Sequence, residues 1–310
     1  MTNKNLPLVT IFTLSFNSPD LFGAIDSVLM QDYGNIEYII LDDQSDNFDC
    51  NAVKEYISSK QKGNITNLIV EVNPKRLGIV AQTNKALSLS KGKFIFNLAG
   101  DDQFYDEKVI SDWVKEFEKT GADVITAYRE VYDPTLTKPL FTLPKPIEVH
   151  ALKNYSPDEL LEFMEGYNIV FGSCTARSRK AVEEVGLVEE TYKLVEDYVL
   201  TLRYLRQNKK IHFFDRKVIK YRQGGVCAVD NVNKQYLEES DVIFNNEVLP
   251  YSKNKKNAIK KYKLWRQGVE FRQKANKAKS KTLFSLCYAL AHPLFSVRKV
   301  NKKLREKRYS

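Results

Sequence analysis

Leu8-Val-Thr-Ile-Phe-Thr-Leu14 is an unbroken, β-branched-rich apolar run, the pattern of a strand covered on both faces. Outward from it, Pro19 opens a segment with Leu21, Ile25, Val28 and Leu29 at helical spacing, because proline is preorganised for a first helical turn. Next come predicted strands at Ile36–Leu41, Leu68–Val72, Phe94–Leu98 and Asp123–Ala127. They alternate with predicted helices at Val53–Ser59, Ile79–Leu89 and around Val109, Ile110, Trp113, Val114 and Phe117. Alternating β and α elements with short connections predict an α/β fold, a mostly parallel doubly wound sheet with helices on both faces. In such sheets ligands bind beyond the carboxyl ends of the strands.

Those ends are polar. The first strand ends at Ser15-Phe-Asn17, the second at Asp42-Asp-Gln-Ser-Asp46 and the fourth at Ala99-Gly-Asp-Asp102. No GxGxxG follows the first strand and no GxxxxGK[ST] occurs, which argues against a dinucleotide-binding domain and a P-loop NTPase. Carboxylates cannot hold phosphate directly. They hold a divalent cation that does, or accept hydrogen bonds from sugar hydroxyl and base imide groups.

Composition is that of a folded chain: 310 residues, 43% hydrophobic and 28% charged. The polar start after Met1 predicts no secretory signal, and the weakly polar stretch between Lys281 and Arg298 is short for a bilayer span. Cys50, Cys174, Cys227 and Cys287 form no CxxC pair, so neither a zinc site nor a disulfide scaffold is expected and a reducing cytoplasm fits. The net charge of +9 divides unevenly: residues 251–310 hold 19 Lys and Arg against two acids, a balance of +17, leaving −8 on residues 1–250. Such a tail faces something anionic or is solvated.

Val9-Thr-Ile-Phe-Thr-Leu-Ser-Phe-Asn17, Ser27-Val-Leu-Met-Gln31 and Glu37-Tyr-Ile-Ile-Leu-Asp-Asp-Gln-Ser-Asp46 resemble the opening of family 2 inverting glycosyltransferases. The resemblance continues through Asn73-Pro-Lys-Arg-Leu-Gly78, Asn84-Lys-Ala and Gly92-Lys-Phe-Ile-Phe-Asn-Leu-Ala-Gly-Asp-Asp102. It resumes at Gly172-Ser-Cys-Thr-Ala-Arg177, Val185-Gly186, Glu196-Asp197 and Leu202-Arg203, and ends near Tyr221-Arg-Gln-Gly-Gly-Val226. It implies a Rossmann-like GT-A fold and transfer of a sugar from a UDP- or dTDP-type donor to a glycan or lipid-linked glycan. Bacterial surface-polysaccharide assembly is the implied setting.

By the same resemblance, Leu14, Phe16 and Asp43 embrace the nucleoside, with Arg76, Asn84 and Asp101 as further donor contacts. Asp101 and Asp102 are the implied ligands of Mn²⁺ or Mg²⁺. Asp197 is the implied catalytic base for single displacement, and Gly172, Ser173 and Glu196 line the sugar or acceptor pocket. The residues also admit plainer roles: Phe16 as core, Asp42 and Asp43 as a turn or cap, Glu196 and Asp197 as helix-starting acids. An acid in a first helical turn tends to a lowered pKa, so Asp197 is expected to be ionised. Two departures stand out. Ala99 replaces the first aspartate of the usual motif, and Gln223-Gly-Gly225 replaces a metal-binding histidine. His150, His212 and His292 are scattered and receive no function, and Cys174 reads as a small buried filler.

Leu136–Ile147, rich in proline, reads as a loop or ribbon over the site. Beyond residue 250, Ile259, Tyr262, Trp265 and Val269 recur among lysines as an amphipathic basic helix. Phe284–Phe295 and a cluster from Arg298 to Arg308 follow. The expected organisation is a transferase domain over residues 1–250, its nucleotide-binding part about 1–130 and its acceptor part about 131–250, then a C-terminal helical basic extension over 251–310. That extension suits an anionic membrane surface, giving a cytoplasmic protein held peripherally at the inner face. A soluble helical appendage or a homo-oligomer contact is the alternative. No nucleic-acid module is visible. Rival functions are a degenerate donor-binding or scaffolding relative and a sugar nucleotidyltransferase, the latter disfavoured by the missing glycine- and arginine-rich first loop.

Overall fold

The run at Leu8–Leu14 forms β1 (Val9–Ser15), with every residue but Leu14 buried. Its neighbour β2 (Ile36–Asp42) is buried throughout, which is why neither strand alternates polar and apolar residues. This computed structural model describes residues 6–224, 233–278 and 280–291. Between the two strands lies α1 (Leu21–Leu29), capped by the Asp20 carboxylate, which accepts from the Gly23 N–H at 3.2 Å, and burying Ala24, Ile25, Val28 and Leu29. Then follow α2 (Cys50–Lys60), β3 (Ile65–Val72), α3 (Ile79–Leu89), β4 (Phe94–Ala99), a short β5 (Gln103–Phe104), α4 (Val109–Thr120) and β6 (Val124–Tyr132). Aromatic stacking seats α4 on β4: Phe117 lies 4.4 Å from Phe94 and Trp113 lies 4.8 Å from Phe96, centroid to centroid.

The sheet order is β3-β2-β1-β4-β8-β6-β9-β5, with β7 (Pro139–Leu143) paired to β6 alone. The first four are parallel. Beyond them β8 (Thr175–Ser178) runs antiparallel to both β4 and β6, and β9 (Ile211–Arg222) runs parallel to β6. The Leu136–Ile147 stretch is therefore partly a ribbon, formed by β6 and β7. Between β8 and β9 lie α7 (Arg179–Val185) and α8 (Glu196–Arg206). These strands and helices belong to one compact unit, residues 1–143 and 170–222.

The second unit takes residues 144–169 and those beyond 222. It comprises α5 (Pro146–Asn154), α6 (Pro157–Met164), α9 (Lys234–Ile243) running into a π-helical turn at Phe244–Val248, α10 (Lys255–Lys277) and α11 (Lys281–Ala291). The expected basic helix is α10, and it is not free of partners. Lys261 donates to the Glu162 carbonyl at 2.6 Å and to Glu165 Oε2 at 3.0 Å, and the Tyr262 ring stacks on Phe244 at 4.1 Å. Phe271 packs with Phe284 and Tyr288 of α11. Among the described residues, no helix is long and apolar enough to cross a membrane. Gly225, Val226, Cys227, His292, Leu294, Phe295 and the cationic cluster from Arg298 lie outside the described residues.

Candidate functional site

Strand register builds one rim. Ser15 pairs with Asp42 and Leu14 with Ala99, so β1, β2 and β4 end level and their polar tips are neighbours. The Asp43 N–H donates to the Ser15 carbonyl at 2.8 Å and the Gly100 N–H to the Leu14 carbonyl at 3.0 Å. Two non-glycine residues at these tips, Asn17 (φ 45°) and Gln44 (φ 64°), occupy the left-handed region, which side chains other than glycine adopt at a cost. Asn17 is held there by donating its N–H to Ser45 Oγ at 2.6 Å, and Gln44 by donating to the Pro74 carbonyl at 2.8 Å.

At this rim Phe16 is 40% exposed and the Arg76 guanidinium lies 3.8 Å over its ring, so the two expected donor contacts share one surface. Leu14 is half-buried and packs on the core beside Phe12 and Leu41. Asp43 is buried and already accepts three hydrogen bonds: from Asn73 Nδ2 at 3.1 Å, the Leu77 N–H at 2.7 Å and the Gly78 N–H at 2.8 Å. Its carboxylate shapes the 73–78 loop that carries Arg76. Gly78, with φ at 83°, supplies a backbone conformation that a side chain would strain. The Asn84 amide donates to the Val188 carbonyl at 2.7 Å and accepts the Val188 N–H at 3.2 Å, which ties α3 to the segment after α7.

The tip of β4 carries Asp101 and Asp102. The Asp102 Oδ1 accepts the Arg222 N–H at 2.8 Å, while its Oδ2 is buried with no hydrogen-bond partner. Burial raises the Asp101 carboxyl. Burial and the Asp101 charge together push Asp102 well above the usual carboxylate range, against the Arg222 N–H and the charges of Arg129 and Arg222. Arg222 braces this tip through Nε to the Asp101 carbonyl at 2.9 Å, Nη2 to Asp20 at 2.6 Å and Nη1 to the Pro134 carbonyl at 2.5 Å.

The reversed strand β8 delivers the other half of the site. Because it runs antiparallel to β4, pairing Phe96 with Ala176, the turn before it, Gly172–Cys174, returns to the carboxyl end of β4. There the Gly172 N–H donates to Asp197 Oδ2 at 2.9 Å and the Tyr198 N–H to Asp197 Oδ1 at 2.7 Å. A Cβ on Gly172 would lie 3.1 Å from the Asp197 Cβ and 3.4 Å from Glu196 Oε1, so a side chain here would crowd the start of α8 and glycine eases its close approach. The structure thus brings Asp101, Asp102, Gly172, Ser173, Glu196 and Asp197 to one end of the sheet, with Asp43 and Phe16 beyond β1.

The expected lowering of the Asp197 pKa is reversed. Burial outweighs the two N–H donors and the charges of Arg177 and Arg129, and the carboxyl titrates above its ordinary value. Burial likewise pushes the Cys174 thiol up to about 11, the state of an inert filler. His212 pairs with Glu116 at 2.7 Å and His150 lies 3.2 Å from Asn154; neither contact involves a rim residue.

Sequence reasoning missed Arg129. This β6 residue lies with its guanidinium 4.0 Å from the Phe171 ring and 4.2 Å from the Tyr221 ring, and donates to Ser173 Oγ at 3.1 Å. The signal was a cation inside a run, Val124–Tyr132, that stays strand-like past Ala127. The bracing role of Arg222 had no sequence signal.

No group of three or more His, Cys, Asp or Glu able to hold a metal ion occurs among the described residues. The paired carboxylates of Asp101 and Asp102, with one buried oxygen unmatched, nevertheless fit a hard divalent cation, which takes few protein ligands and completes its shell with water and phosphate oxygens.

The fold is shared with solved glycosyltransferases of the GT-A type. Mannosyltransferase PcManGT from Pyrobaculum calidifontis, solved with GDP-Man and Mn²⁺, superposes with a TM-score of 0.61 at 14% identity, covering 99% of this chain and 85% of that one. Residues 1–349 of Staphylococcus aureus TarS, in complex with UDP-GlcNAc, give 0.60 at 14% identity over 84% of this chain and 72% of that one. The chain belongs to glycosyl transferase family 2, whose model matches residues 10–186. It is 25% identical over 77% of its length, and 86% of the relative's, to WfaP of Escherichia coli, a UDP-Glc:alpha-D-GlcNAc-diphosphoundecaprenol beta-1,3-glucosyltransferase. A 102-residue stretch is 34% identical to WcaA of Escherichia coli K12, named for glycosyl transfer in colanic acid biosynthesis; it spans 33% of this chain and 35% of that relative.

Proposed function

We propose that this chain transfers one sugar from a UDP- or dTDP-type nucleotide sugar to a glycan or lipid-linked glycan acceptor in bacterial surface-polysaccharide synthesis. Donor binding falls in about residues 1–130 and acceptor handling in about 131–250. The supporting observation is the placement of Asp197: two backbone N–H groups fix its carboxylate beside Gly172, at the sheet end that also carries Asp101 and Asp102. The acceptor hydroxyl attacks the anomeric carbon, the bond from that carbon to the diphosphate oxygen breaks, and its electron pair leaves with the nucleoside diphosphate. The acceptor proton passes to Asp197, and attack opposite the leaving group inverts the centre. Each Asp197 oxygen keeps a lone pair beyond its N–H bond, and burial makes the carboxylate a stronger base.

Phe16 and Arg76 offer a face for the base. Asp43 holds the loop of Arg76 and can accept from an imide N–H. Asp101 and Asp102 would hold Mn²⁺ or Mg²⁺, which when bound supplies countercharge to the diphosphate. Ala99 removes one acid from this group and favours a second reading, a donor-binding relative without transfer. Asp197→Asn distinguishes the two: donor binding is expected to persist while transfer falls by about 100-fold or more. Unchanged transfer removes Asp197 from the mechanism, and no transfer by the parent chain from either donor type favours the second reading.

We further infer that α10 docks on an anionic bilayer, which would place the enzyme at the inner face of the membrane. Lys256, Lys260 and Lys263 follow i, i+4, i+7 spacing beside Lys255; all four are exposed, and none makes an ion pair among the described residues.

A further inference from the structure

Arg129 is held as if for a ligand. Two aromatic rings contact its guanidinium and Ser173 takes one Nη1 hydrogen. Among the described residues the remaining donors are idle: Nε is buried without a partner, and Nη2 makes no hydrogen bond and is not among the buried unpartnered atoms. Leaving a buried guanidinium donor unmet is costly, so this arrangement calls for a planar or tetrahedral acceptor.

Its location narrows which one. Its partner Ser173 adjoins Gly172, whose N–H holds Asp197, and the Tyr221 ring beneath it adjoins Arg222, whose N–H holds Asp102, so it stands near both the carboxylates proposed to meet the diphosphate and the proposed base. An incoming nucleoside diphosphate meets like charge from Asp101 and Asp102 and needs a cation. Arg222 is committed to Asp20, the Asp101 carbonyl and the Pro134 carbonyl. Arg177 is 2% exposed, and Arg76 stands out on Phe16. Arginine matches phosphate geometry with paired N–H donors and keeps its charge at any working pH.

We propose that Arg129 binds the terminal phosphate of the donor's diphosphate and takes up the charge that gathers there as the sugar departs. This rests on the nucleotide-sugar reading above. The test is calorimetric binding to the full chain, with Mn²⁺ present, of UDP and dTDP against UMP and dTMP. Arg129→Met keeps an apolar filler between the rings, and Arg129→Lys keeps the charge without the fork. For Met, diphosphate binding is expected to weaken about tenfold or more while monophosphate binding stays within about twofold; Lys should recover part of the loss. Undiminished UDP and dTDP binding by a folded Arg129→Met overturns the assignment, and so does an equal loss for mono- and diphosphates. A parent chain that binds no diphosphate overturns the donor reading itself, which separates the two failures.

Discussion

Asp197 carries the opposition between two local influences. Position in a first helical turn favours the carboxylate, while burial favours the acid, and burial wins. The pH-rate profile of transfer should therefore have an acidic limb above the ordinary carboxylate value of about 4, rate rising with pH as Asp197 loses its proton. The same shift links to stability with a definite sign. An acid whose folded pKa is raised favours the folded state fully below its unfolded value and loses that contribution as pH rises through the folded one. Asp197→Asn should then gain melting temperature relative to the parent above that limb and match it below. A limb at the ordinary value, with equal melting curves at every pH, would refute the burial argument.

Elements differ in how legible they were. β1 and β2 are continuous, mostly apolar runs and α3 and α4 are longer and periodic, and all four stand where the pattern placed them. The strands β5, β8 and β9 went unread because two and four residues are too few to show a period, and β9 is studded with cations. The tie of Asn84 to the Val188 backbone was not legible, because a motif position tells nothing about the partner a side chain finds across 104 residues of chain. The rim acids were legible as a cluster at strand ends, whereas the return of Gly172 to that rim depends on the direction of β8, which no local pattern encodes. That return is testable. Gly172→Ala puts a methyl 3.1 Å from the Asp197 Cβ, so the start of α8 must shift. We expect transfer to fall at least about tenfold, and stability to fall by about 1–3 kcal/mol, read by denaturant unfolding. Unaltered kinetics would mean that Asp197 tolerates displacement.

At the scale of the whole chain, charge is the dominant asymmetry: +17 on residues 251–310 against −8 on the rest. Part of it is spent inside the helical unit, where Lys253 pairs with Asp158 at 2.7 Å and Lys261 with Glu165 at 3.0 Å. The exposed quartet Lys255, Lys256, Lys260 and Lys263 is one part of it open to a surface. Changing all four to Glu in the full chain should abolish co-sedimentation with phosphatidylcholine vesicles containing phosphatidylglycerol, since each nearby cation contributes about 1 kcal/mol. Vesicles of phosphatidylcholine alone should bind neither form. Retained binding by the quadruple variant would refute the docking face.

The order of the sheet also has a consequence for biosynthesis. β4 lies between β1 and β8, and β6 lies between β8 and β9, so a nascent chain that has emerged only through β7 lacks both closing strands. Until residue 178 clears the ribosome one flank of β4, and until residue 222 the edge of β6 that β9 will cover, offer unmet hydrogen-bonding groups to any passing chain, and protection by folding chaperones should concentrate in that interval of translation.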